Sequence, residues 1–90
     1  MYNYCAIKFF KKSGKIKQVL DSGMCSTLNL YALQNCTKTT DWIIFDKDTG
    51  EVLHYVEGTD SYPRSVPAEE LRYAHIEDFC AGLLDAINEI

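Results

Sequence analysis

The chain has no apolar stretch approaching the roughly 18 residues that a membrane-spanning helix needs. Its opening residues, Met1 to Lys8, show no basic start followed by a long apolar run. A membrane span and a secretory leader are therefore not expected, and the default compartment is a reducing cytoplasm. The cysteines Cys5, Cys25, Cys36 and Cys80 contain no C-x-x-C pair, the nearest two standing eleven positions apart. That spacing does not suit a structural zinc site. Without an export context a disulfide framework is not expected either, and the four read as free thiols that pack like small hydrophobes. No glycine-rich phosphate loop, H-E-x-x-H or G-x-S-x-G occurs, which removes the commonest nucleotide-hydrolysis, metalloprotease and hydrolase signatures. No repeat or low-complexity segment is present, and both prolines, Pro63 and Pro67, fall in one stretch.

What is present fits a single domain over residues 1–90, near the lower end of what folds on one core. The charge is unevenly spread. Residues 1–40 hold six lysines and one acid, Asp21, whereas residues 41–90 hold Lys47, Arg64 and Arg72 against twelve acids. A net charge of −4 thus conceals a basic first part at +5 and an acidic second part at −9. The folded molecule is expected to be a charge dipole.

The stretch from Asp41 to Glu57 organises the rest. Trp42 to Phe45 and Val52 to Val56 are rich in β-branched and aromatic residues, which suit a pleated, half-buried surface. Asp46-Lys47-Asp48-Thr49-Gly50 joins them, with aspartates able to bond their own backbone and Gly50 able to take the positive φ of a bulged turn. Trp42-Ile43-Ile44-Phe45 is apolar on both pleat faces, so that strand belongs inside the sheet, covered on each side by a helix or by a dimer partner. Upstream, Tyr2 to Phe10 and Lys15 to Leu20 read as a hairpin turning at Lys11-Lys12-Ser13-Gly14. Ser26 to Asn35 fits an alternating strand through Leu28, Leu30 and Ala32, but also helical spacing. As a connection between two hairpins it is taken as a helix, with Ser26 as N-cap. Gly58 to Pro67 reads as a surface loop. Pro67-Ala68-Glu69-Glu70 resembles a helix start, and Ile76, Phe79, Cys80, Leu83, Leu84, Ile87 and Ile90 form the apolar stripe of a last helix. The fold expected is α+β: a small antiparallel sheet of about four strands in ββαββα order, with two helices packed on it.

Catalytic constellations are thin. Asp46, Asp48 and Glu57 occupy three positions of a calcium-loop pattern, but Glu51 stands where the required glycine belongs, so the segment reads as a hairpin turn. His75 and Cys80 lie about 140° apart on a helix and do not share a face. His54 stands alone on a strand. No catalytic residue, metal or cofactor is assigned.

Two binding readings remain. The first is a non-enzymatic interaction module that binds a protein partner, or its own copy as a homodimer, through a charge-polarised, tyrosine-rich surface. Its contact residues would be Tyr62 and Arg64 in the loop and Glu69, Glu70, Glu77 and Asp78 in the acidic part. One form is an acidic decoy or inhibitor that occupies a basic, nucleic-acid-binding surface, as small phage and mobile-element proteins often do. The alternative is a nucleic-acid or nucleotide binder using Lys8, Lys11, Lys12, Lys15 and Lys17 for phosphates, with Tyr2, Tyr4 and Phe10 available for stacking. The acidic total and the lack of arginine in this hairpin weigh against it.

Overall fold

A computed structural model describes residues 3–60, 62–66, 70, 71 and 75–80. Five antiparallel strands form one sheet in the order β2-β1-β3-β4-β5. They are β1 (Tyr4–Phe10), β2 (Ile16–Ser22), β3 (Thr40–Asp46), β4 (Val52–Glu57) and β5 (Arg64–Val66). The α+β class and the two hairpins stand, but the sheet has five strands rather than four. The extra one lies in the stretch read as a loop. Tyr55 pairs with Val66, Val56 with Ser65 and Glu57 with Arg64. A three-residue strand is too short to show alternation, and Pro63 immediately before it reads as a breaker.

β1 lies between β2 and β3 and runs antiparallel to both, so β2 and β3 point the same way. The chain must therefore return along the sheet between them, and α1 (Cys25–Asn35) does this. Eleven residues of helix span roughly 16 Å, close to the length of the strands it crosses. Leu28 and Ala32, four apart, are buried against the sheet, while Leu30 is 58% exposed. The helix begins one residue before Ser26, which is therefore not its cap. Met24 holds that position without a side-chain cap bond, and Ser22 Oγ accepts from the Met24 N–H at 3.1 Å. At the other end Asn35 Nδ2 donates back to the Tyr31 carbonyl at 2.8 Å, one turn before it.

The sheet carries a core on each face. On one, Ala6, Trp42, Ile44 and Val56 pack against Leu28 and Ala32 of α1. On the other, Cys5, Ile7, Phe9, Ile43 and Val52 pack against Phe79, with Leu71 and Ile76 alongside. Phe79 is 1% exposed and meets the Phe9 ring edge-on at 4.9 Å. The both-sided burial of Trp42 to Phe45 thus comes from helices on opposite faces. Residues 76–80 are helical, with Ile76 and Phe79 inward and Cys80 exposed. The rest of the expected stripe (Leu83, Leu84, Ile87 and Ile90) lies outside the described residues, as do Pro67, Ala68 and Glu69 of the expected helix start. Leu71 belongs to no helix, so the described helix begins at 76.

The start of this helix is seated on the β3–β4 turn. Asp46 Oδ1 accepts from the N–H groups of Asp48 and Thr49, and Gly50 sits at φ +77°. The Gly50 carbonyl accepts from the Ile76 N–H at 2.8 Å. The His75 ring abuts Gly50, where a β-carbon would come within 2.5 Å of its ring carbon Cε1. Its Nδ1 accepts from the Glu77 N–H, so Nε2 carries the proton and donates to the Thr49 carbonyl at 3.0 Å. His75 therefore serves as a cap for the helix that follows it.

Candidate functional site

The strand register decides where the charges go. β1 ends and β2 begins at one end of the sheet, and there the β1–β2 turn meets the segment leading into β3 through the Lys11 N–H to Thr39 carbonyl bond. That end gathers Lys11, Lys12, Lys15 and Lys38 with Asp60 and the buried Asp41, and on its β4–β5 side Arg64 with Glu57 and Glu70. The opposite end holds the β3–β4 turn, the end of β2 and the start of the last helix. It gathers Asp21, Asp46, Asp48, Glu51, Glu77 and Asp78 against Lys47, which pairs with Asp21 at 3.4 Å. A seven-residue strand separates the ends by roughly 20 Å. That exceeds two Debye lengths at physiological salt, so an approaching molecule meets the carboxylate cluster largely apart from the lysines of the other end.

At the basic end one lysine is committed. Lys11 Nζ donates to the Gly58 carbonyl at 2.6 Å and lies 3.4 Å from Asp41, which is 5% exposed. Asp41 also accepts from the Tyr55 hydroxyl at 2.7 Å and from the Gly58 N–H at 2.9 Å. This buried, fully bonded carboxylate ties β1, β3 and β4 to the loop after β4. Beside it a cleft of about 410 Å³ is lined by Phe10, Lys11, Lys12, Ser13, Lys38 and Thr39. Lys12 and Lys15 are exposed and have no ion-pair partner among the described residues. Lys38 has only a loose contact with Asp60 at 4.0 Å, both side chains being largely in solvent.

The residues singled out from sequence are not all surface contacts. Lys8 is buried, its ammonium donating to the Asn35 carbonyl at 2.6 Å and lying 5.7 Å from the centre of the Trp42 ring. Its charge secures the end of α1 and faces no solvent partner. Tyr4 is half-buried beside the core under α1. Lys17 is exposed on the edge strand, its ammonium 5.5 Å from the Phe10 ring centre. Arg64 bonds Glu70 and lies 3.8 Å from Glu57, so it bridges β4, β5 and the segment beyond. Tyr62 is 84% exposed. Glu77 and Asp78 are exposed at the acidic end, and Glu69 lies outside the described residues.

Sequence reasoning gave no role to Lys38 and Thr39, and it counted Asp41 among the acids without its burial. The available signal was Thr37-Lys38-Thr39-Thr40 itself. Its hydroxyls interlock, with Thr37 Oγ1 and Thr40 Oγ1 2.8 Å apart, and hold Lys38 at the cleft rim. Among the described residues no group of three or more His, Cys, Asp or Glu is arranged to hold a metal ion. Nor is any helix there long and apolar enough to cross a membrane. The chain matches no family model, no curated protein and no solved structure.

Proposed function

We propose that this protein is a non-enzymatic interaction module whose acidic end engages a basic surface on a protein partner. The observation that carries the reading is the segregation of six carboxylates to one end of the sheet by the strand register. Asp48, Glu51, Glu77 and Asp78 are exposed there, on a turn and a helix start held to each other by backbone bonds. A rigid array of acids loses little freedom on binding, and its field raises the association rate and selects against acidic competitors. A surface that normally receives phosphates is the natural complement, which makes the acidic decoy the preferred form of this reading. The chain's own basic end is a second candidate surface, so head-to-tail self-association belongs to the same proposal.

The test is recovery of the untagged protein from its native cells, followed by native mass spectrometry. A complex, or a multiple of the 10.3 kDa chain, is expected for the parent. It should disappear for the pair Glu77→Lys with Asp78→Lys, and for the parent in high salt. Heteromeric binding that survives this pair but is abolished by Lys12→Glu with Lys15→Glu would overturn the acidic-end reading.

A further inference from the structure

The lysine-bearing end carries a concave site to which the acidic-end reading assigns no small-molecule ligand. We propose that the cleft between the β1–β2 turn and Lys38-Thr39 binds a nucleoside phosphate. Its phosphate would be held by Lys12 and Lys38, and its ring system would lie against Phe10 and the lysine stems.

Volume comes first. About 410 Å³ falls within the range of sites that take small organic ligands. The lining then divides in two. Phe10 and the methylene stems of Lys11, Lys12 and Lys38 supply an apolar wall, which suits the flat face of a ring. The rim supplies cations. Lys11 is bonded to Gly58 and paired with Asp41, so it positions the turn and offers little to a ligand. Lys12 is unpaired among the described residues, and Lys38 has Asp60 only at 4.0 Å. Two ammonium groups at one rim suit a doubly charged phosphate better than a single carboxylate. Ser13 adds a donor, because its oxygen accepts from the Lys15 N–H at 3.2 Å and its hydroxyl proton remains free. Asp60 competes with the ligand for Lys38.

A free nucleotide is preferred to a nucleic-acid strand. The cleft is of single-residue size, and the chain is acidic overall, which disfavours a long polyanion.

The experiment is a titration of the ¹⁵N-labelled protein with AMP, with adenosine and inorganic phosphate in parallel. AMP is expected to give saturable amide shifts at Phe10, Lys12, Ser13 and Thr39, at concentrations where adenosine or phosphate alone gives much weaker ones. Lys12→Ala with Lys38→Ala should weaken AMP by about tenfold or more, Asp60→Asn should tighten it, and Lys15→Ala should leave it unchanged. The urea midpoint of each variant confirms folding. Absence of saturable shifts, or shifts unaltered by the double variant, would overturn the proposal. Phosphate binding as tightly as AMP would remove the ring from it. An oligothymidylate that binds far more tightly than AMP and depends on Lys15 and Lys17 would reassign the surface to a single-stranded polymer.

Discussion

Replacing Gly58 by alanine should destabilise this domain severely, although nothing about its backbone angle forbids a side chain. At a permissive site the same change stabilises a protein by about 0.4–1 kcal/mol, because it narrows the unfolded ensemble. Here a β-carbon would lie 2.8 Å from the Thr37 carbonyl carbon, and closer still to the carbonyl oxygens of Thr37 and Thr40. These are backbone atoms of the Thr37–Thr40 turn, which is closed by the Thr40 N–H to Thr37 carbonyl bond and by the Thr40 hydroxyl. They cannot rotate away as a side-chain tip would, so Gly58 itself must shift by about 1.5 Å or more to reach ordinary contact distance. That shift breaks the bonds from the Gly58 N–H to Asp41 and from Lys11 to the Gly58 carbonyl. Each involves a charged group and contributes about 1.5–3 kcal/mol. The expected loss is about 3–6 kcal/mol, a large part of the roughly 5–15 kcal/mol that holds a domain of this size. Urea unfolding followed by fluorescence of Trp42, the single and fully buried tryptophan, measures it. Gly23→Ala, at an exposed position outside the left-handed region, is the control and should change stability little. A Gly58→Ala variant within about 0.5 kcal/mol of the parent would refute the packing described for this loop.

Thiol reactivity should follow burial and charge. Burial pushes the Cys5 thiol up to about 11, with the neighbouring Asp21 adding to the shift. Its thiolate fraction at pH 8 is then only about one in a thousand. Alkylation of the native protein at that pH should label exposed Cys80 first and Cys5 only on unfolding. Equal rates at the two sites, read by peptide mass mapping, would contradict the fold of β1 beneath Phe79. The imidazole of His54 is pushed below 6.5 by desolvation. The unfolded chain therefore takes up this proton more readily than the folded one, and the sign follows. The contribution to stability is complete above about pH 6.5 and is lost as the pH falls through the folded-state value. Urea midpoints at neutral and mildly acidic pH should differ more for the parent than for His54→Gln. An identical pH dependence in the two proteins would refute the assignment.

The central hairpin was legible because its signals are local. Asp46 to Gly50 spells its own turn, and the double-faced apolar run from Trp42 to Phe45 demands cover on both sides whatever supplies it. Ser26 to Asn35 was ambiguous because Leu28, Leu30 and Ala32 alternate. The ambiguity is resolved by tertiary context, the need to carry the chain from β2 back to β3, which leaves Leu30 in solvent. β5 could not be read, since three residues carry no period and the pairing of Arg64 with Glu57 and Glu70 is a matter of register. For the candidate sites, charge segregation along the chain maps only in part onto space: Asp48, Glu51, Glu77 and Asp78 share one end, but Asp41, Glu57, Asp60 and Glu70 stand with the lysines at the other. The count of lysines did not show that Lys8 and Lys11 are occupied inside the domain whereas Lys38, far away in sequence, stands at the cleft with Lys12.

The two cores also set an order in time. Among the described residues, those that close the α1 face all lie between 4 and 56, so that face can be completed while later residues are still being added. The other face keeps Cys5, Ile7, Phe9 and Ile43 without their covering aromatic until Phe79 arrives. At about 5–20 residues per second the interval between these events on a ribosome is roughly one to five seconds. Hairpins and helices form in microseconds, so for that interval the nascent chain is a one-sided sheet with a greasy surface. The β3–β4 turn, with Gly50 and the landing place for His75 already shaped, is then a latch waiting for its bolt.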